Sequence, residues 1–322
     1  MNAGTDATIS SEKRPRTFLQ RLLFSPREHR LRAGWRLLIQ TILLVVLLIL
    51  LSLGALLLPA PFAARLLNAS SLPGIAVAEV AELAAVTLSV WLARRLLDHR
   101  PFAALGLMLS RRTLVDLAIG IGISMVMMAS IFFAEMSLGW LTVTGRAWNV
   151  LAWQDVGLQT LIFLGVFVLV GWSEELLTRG YHLQTIASGL NLPAALVISS
   201  AIFGALHLAN PHASVVAAIG ILVAGLFLGY AYVRTGQLWM SIGLHIGWNF
   251  FEGVVFGFPV SGLDVFHLFS TRVSGPELWT GGPFGPEAGL ILLPATLMGV
   301  VLVRLLGRRS RQYEAADPRR PL

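Results

Sequence analysis

The chain has 322 residues, of which 56% are hydrophobic and only 13% charged, and its mean hydropathy is +0.74. A soluble protein is roughly 25% charged, so a soluble fold could not cover its surface with this composition. The absence of cysteine excludes disulfide scaffolds, thiolate metal sites, cysteine nucleophiles and palmitoyl anchors. A formal net charge of +7 would suit nucleic acid, so the placement of that charge has to decide.

Residues 1–36 form a basic segment, expected to be cytoplasmic and disordered up to residue 16. From there Phe18, Leu22, Leu23, Leu31 and Trp35 alternate with arginines, which fits either an interfacial helix on the inner leaflet or a solvated basic tail. A membrane helix needs about 20 mostly apolar residues, and about eight stretches meet or approach this. They cover residues 37–59, 75–93, 114–138, 158–178, 193–208, 213–233, 238–258 and 286–305. The first runs without charge from Leu43 to Leu58 and ends at Pro59. It is too long and too far from Met1 for a simple secretory signal, so it is expected to be retained.

Cytoplasmic connections carry the excess of Lys and Arg. With the N-terminus inside, all of the 24 Lys and Arg except Arg65, Arg146 and Arg272 fall on that side. The basic excess is therefore an orientation signal and an attraction to anionic membrane lipid, which argues against a nucleic-acid partner. The predicted architecture is all-α: a polytopic transmembrane helix bundle of about eight spans with both termini cytoplasmic. It divides into N-terminal transmembrane helices over 37–149, a motif-bearing core over 150–257, an outer loop and last span over 258–307, and a basic cytoplasmic tail over 308–322.

Ionisable residues inside spans are costly and mark function by default. Here they are Glu79, Glu82, Glu135, Glu174, Glu175, Glu252, His182, His207 and His245, and most cluster between residues 171 and 252. Glu175 and Arg179 are four apart with the acid first, the favoured order for a pair on one helix face. Glu174 points about 100° away, which leaves its carboxyl free for acid–base work. Phe203 shares a face with His207, and His245 shares one with Asn249. Gly243 and Gly247 form a small-residue stripe that lets a neighbouring helix come close. Taken singly, each feature also has a plainer reading: acids in water at a helix end, a satisfied core histidine, an interhelical asparagine. Glu252, seven residues after His245, could reach the same cluster.

Distance arguments connect the first two motifs. The turn between the fourth and fifth apolar stretches lies at Ser188 to Pro193. An antiparallel hairpin then sets Glu174 and His207 at equal depth, roughly 22 to 25 Å from the turn. His245 lies on the order of 14 Å beyond its own turn at Thr235 to Gln237. For all three to meet, the first hairpin must extend some ~10 Å into the cytoplasm, an extension that Arg179, His182 and Gln184 would suit. The cluster is then expected in the inner half of the bilayer, opening to the cytoplasmic side.

A carboxylate and a histidine around one water can activate it for attack on a carbonyl, while a second histidine and an amide donate to the oxyanion. Peptide hydrolysis without a cofactor is the reaction this suits. Zinc held by His207, His245 and Glu174 is the competing reading, although no H-E-x-x-H occurs and the histidines lie on two helices.

The set Glu174-Glu175-x-x-x-Arg179, Phe203-x-x-x-His207 and His245-x-x-x-Asn249 resembles the type II CAAX prenyl proteases and their prokaryotic relatives, the CPBP intramembrane proteases or Abi-domain proteins. The resemblance implies that Glu174 and His207 activate water and that His245 and Asn249 form the oxyanion hole. Glu175 and Arg179 would then be the supporting ion pair. Thr178 departs from the pattern, since an aromatic residue often precedes the arginine. The resemblance also implies a multi-pass protein of a prokaryotic plasma membrane, acting on a peptide or membrane-protein substrate. Two other readings stand beside it: a non-catalytic immunity or scaffold protein of the same architecture, and a proton-coupled transporter using Glu79, Glu82 and Glu135.

Overall fold

A computed structural model of the chain describes residues 17–308, except 27, 29, 67, 69 and 70. The disorder expected for residues 1–16 and the basic tail beyond Arg308 lie outside the described residues.

The chain opens on a short helix, α1 (Phe18–Leu23), closed at its start by a reciprocal Thr17–Gln20 capping box. Its Phe18, Leu19 and Leu22 are exposed, as an interfacial helix requires. Long helices follow: α2 (Ala33–Leu56), the short α3 (Ala60–Leu66), α4 (Leu72–Ala93), which continues through a π turn to Asp98, and α5 (Arg112–Ser137). α2 is inverted relative to a soluble helix. It buries Arg36 and Gln40 while Ile42, Ile49 and Leu50 face outward, the pattern expected where lipid is the solvent.

Strand β1 (Leu141–Arg146) precedes α6 (Trp153–Glu175), which runs through a π segment, Leu176–Leu183, into α7 (Gln184–Gly189). Next come α8 (Leu192–Leu206), α9 (Val215–Thr235) and α10 (Trp239–Asn249), the last extended by a second π segment, Phe250–Val255. Strand β2 (Phe269–Val273), the one-turn α11 (Glu277–Thr280) and α12 (Leu292–Leu306) complete the fold. Local chemistry sets the starts of α8 and α9, where Asn191 and Ser214 accept hydrogen bonds from the first-turn amides. Gly236, at φ 68°, ends α9 in the left-handed conformation that glycine tolerates.

Each of the expected apolar stretches is helical, so the all-α polytopic bundle stands. Among the described residues six helices are long and apolar enough to cross a membrane, the longest being the continuous Trp153–Gly189. The last two stretches make shorter helices, α10 and α12. The missing length of α12 is taken up by turns at residues 282–288 that carry Glu287 inward. An antiparallel β1–β2 pair, absent from the sequence-based expectation, ties the connection before α6 to the connection after α10, with an irregular register between Val143 and Gly145.

The glycine stripe packs as anticipated. A Cβ on Gly243 would lie 2.4 Å from the Leu117 carbonyl oxygen, and one on Gly120 would lie 2.5 Å from that of Met240. α5 and α10 therefore touch through their backbones. The N-terminal arginines, expected at the lipid surface or in water, are instead partly internal. Arg30, Arg36 and Arg94 all reach the buried carboxylate of Asp98, and Arg36 also donates to Ser188 of α7 at 2.6 Å. Buried charge has to be paired, and Asp98 is what holds these guanidinium groups in.

Candidate active site

The geometry is set by the π segment that follows Glu175. A π turn adds a residue to the helical ladder and re-aims the side chains beside it. Here it places Arg179 beneath Glu175. Arg179 Nη1 donates to Glu175 Oε1 at 2.5 Å, and Nη2 donates to the Gly225 carbonyl on α9 at 3.2 Å. The guanidinium also stacks 4.3 Å from the centre of the Phe203 ring, a cation–π contact strengthened by exclusion of water. Thr178, the departure from the family pattern, has its own place here: its hydroxyl donates to the Glu174 carbonyl at 2.5 Å and accepts from Arg179 at 2.8 Å.

The expected hairpin extension took Arg179, His182 and Gln184 to be in cytoplasmic water. Arg179 is 2% and His182 7% exposed, and Gln184 Nε2 donates to the Leu105 carbonyl at 3.0 Å. Arg179 and Gln184 are hydrogen-bonded inside the protein, and His182 is buried with its Nδ1 unpartnered.

Glu175 is fully buried and holds His245. Its Oε1 takes a hydrogen bond from His245 Nδ1 at 2.9 Å, and its Oε2 accepts from the Ser241 hydroxyl. His245 Nε2 then faces Glu174 Oε2 at 3.4 Å, so the imidazole stands between the two adjacent carboxylates. Just past the end of α8, His207 Nδ1 donates to the Phe203 carbonyl at 2.9 Å. In the neutral ring that leaves Nε2 with its lone pair available. The Phe203 ring meets His207 edge-on at 4.7 Å and His245 at 6.1 Å, separating the cavity from the buried Arg179.

Glu174, His207, His245 and Asn249 line one cavity of about 790 Å³, and Phe203 joins them in its wall. Glu175 and Arg179 lie behind that wall. Glu174 and His207, expected at equal depth, both border the cavity, and among the described residues no hydrogen bond joins them. Asn249 is 6% exposed, and among the described residues its side chain makes no hydrogen bond. Glu252 does not join the cluster; it is buried within the second π segment and its carboxyl oxygens have no hydrogen-bond partner there. Glu135 is likewise buried away from the cavity, which separates it from Glu79 and Glu82. For the zinc reading, His207, His245 and Glu174 would have to converge as ligands, and among the described residues no metal-holding group of three such side chains occurs.

Several residues in or behind the wall were not anticipated. Ser241 carries a readable signal, since Ser241, His245 and Asn249 follow one another at four-residue spacing on one face of α10. Glu79 and Glu82 of α4 also line the cavity, whereas the sequence offered them only to the transporter reading. Glu287 does so too, taking hydrogen bonds from Trp248 Nε1 at 3.0 Å and Ser261 at 2.5 Å; no spacing in the sequence links these three.

The cavity's non-helical wall includes Asn210, Val260, Ser261, Leu263, Asp264 and Val265. These belong to the connections at the ends of α8 and α10 remote from Arg234 and Arg304, the connections that the charge pattern puts outside.

Residues 156–251 match the family model described as type II CAAX prenyl endopeptidase Rce1-like. The match bears out the resemblance drawn from the three motifs: this segment is CAAX protease-like, and that family is one of membrane-embedded hydrolases. No curated protein and no solved structure matches the chain.

Proposed function

Taking residues 156–251 as a CAAX protease-like hydrolase core, we propose that the protein is an intramembrane endopeptidase in which Glu174 and His207 activate water without a metal. The observation that carries this reading is the meeting of Glu174, His207, His245 and Asn249 on one cavity. A water between Glu174 and His207 Nε2 gives up a proton as its oxygen attacks the scissile carbonyl. The oxyanion that forms accepts hydrogen bonds from the Asn249 amide and His245, and the abstracted proton passes to the departing amine as the C–N bond breaks. Glu175, gripped by Arg179 and Ser241, fixes the orientation of His245. The apolar wall, with Phe163, Phe167, Leu44 and Leu48, suits a hydrophobic peptide or a segment of a membrane protein.

Glu174→Gln and His207→Ala are each expected to abolish cleavage of an internally quenched hydrophobic peptide by the purified protein. Retained turnover in either variant removes the mechanism. Asn249→Ala should lower kcat by about 10²- to 10³-fold, the usual loss for one oxyanion donor. Activity should persist after exhaustive chelation, and loss restored by zinc would make the histidines ligands instead. The substrate is proposed to enter from the side of Asn210 and residues 260–265. With the N-terminus in the cytoplasm, that is the extracytoplasmic side of a prokaryotic plasma membrane.

A further inference from the structure

Two carboxylates in the cavity have no part in the mechanism above. Glu79 and Glu82 are three residues apart on α4, so they share one face, and both line the same cavity as Glu174. Among the described residues neither makes a hydrogen bond or an ion pair. They lie within electrostatic reach of Glu174, and Glu82 also within reach of His207. No Lys or Arg among the described residues lines this cavity. The nearest guanidinium identified at the site, Arg179, is 2% exposed, sits behind Phe203 and is committed to Glu175. A group of carboxylates is not by itself a site. Here a second observation points to a ligand: Asn249, 6% exposed, turns an unpartnered amide to the same cavity.

Acids held together inside an apolar bundle are costly, and a bound cation offsets that cost. The surroundings favour an ammonium or guanidinium on a hydrocarbon stem over a bare metal ion. A hard cation such as calcium takes 6–8 oxygen ligands, whereas the cavity that these carboxyls share is lined by apolar side chains such as Ile75, Ala78, Val86 and Phe167, which would pack against the stem of a lysine.

We propose that Glu79 and Glu82 form a subsite for a basic side chain, so that the substrate is a hydrophobic peptide segment carrying lysine or arginine near the scissile bond. This rests on the endopeptidase reading for its biological sense, though not for its test.

The test uses the full-length protein in lipid nanodiscs and a set of fluorescein-labelled hydrophobic dodecapeptides, identical except that lysine or norleucine occupies each position in turn. Binding is read by anisotropy. At one or two adjacent positions lysine should tighten binding to the wild type by about tenfold or more, the scale of a close, desolvated charge pair. The lysine-to-norleucine ratio should fall towards one in the Glu79→Gln/Glu82→Gln double variant. If that variant does not fold, Glu79→Gln and Glu82→Gln singly should each lower the ratio. Equal binding of lysine and norleucine peptides by the wild type, or a ratio unchanged in the variants, overturns the proposal. Glu174→Gln separates the two readings, since it should lose cleavage yet keep the preference for lysine. A wild type that prefers lysine but cleaves no peptide would sink the peptidase reading and leave the subsite standing.

Discussion

Arg179 shows how one residue serves the site without reaching the cavity. It is the charge that makes a buried Glu175 tolerable, and Glu175 in turn orients His245. Removing one partner of a buried ion pair leaves the other uncompensated, so Arg179→Met should destabilise the protein by about 3–5 kcal/mol, seen as a lower midpoint of denaturant unfolding in detergent. Arg179→Lys keeps the charge but loses the forked geometry that reaches both Glu175 and Gly225, and should fall between wild type and Arg179→Met. Ser241→Ala removes a hydrogen bond to a charged carboxylate, worth about 1.5–3 kcal/mol. Because Ser241 acts through Glu175 on His245, the loss should appear in kcat with KM nearly unchanged. At this scale much was legible. Glu175–Arg179, Phe203–His207 and His245–Asn249 are each four apart, and helical periodicity puts each pair on one face whatever the tertiary fold. Ser241 was legible by the same rule. The partnership of Glu174 with His245 was not, because it joins two helices.

The elements owe their positions to features that sequence periodicity registers unevenly. The Gly243 and Gly247 stripe announced a close helix contact, but only the fold shows that α5 is the partner and that Gly120 completes the contact. A side chain at Gly120 would strike the Met240 carbonyl at 2.5 Å. Gly120→Val is therefore expected to force apart α5 and α10, lowering thermal stability by about 1–3 kcal/mol and reducing turnover through displacement of His245. The π segments left no trace in the hydrophobic pattern, since a single inserted residue shifts the period too locally to detect.

The N-terminal segment was read as an interfacial helix or a solvated basic tail because charge alone does not reveal its partners. Glu28 is one of them. Burial alone would push its carboxyl up, but the hydrogen bond and charge of Arg30, with Arg36 and Arg100 nearby, hold it below its ordinary value of 4.5. A carboxylate with a lowered folded-state value stabilises the fold above its ordinary value, and that contribution is lost as pH falls through the lower one. Thermal stability should therefore decline below about pH 4.5 more steeply in the wild type than in Glu28→Gln. An identical acid limb in both would refute a role for this cluster.

For the whole molecule, the outstanding question is which face the cavity serves. The absence of native cysteine makes a direct measurement clean. Asp264→Cys lies at the cavity wall and Arg95→Cys at the opposite end of the bundle, and both native side chains are exposed. A membrane-impermeant maleimide added to intact cells is expected to label Asp264→Cys and spare Arg95→Cys. The reverse pattern would restore the cytoplasmic opening. By itself the sequence determined the solvent, the helical class, the order of the apolar stretches and the three motifs, because hydropathy, the bias of Lys and Arg and the helical period are local properties. Only the tertiary structure decided that Glu79, Glu82 and Glu287 share the cavity of Glu174, that the basic N-terminal segment closes on Asp98, and which connections wall the site. Those facts depend on which helices become neighbours, and one chain's periodicity carries no record of its partners.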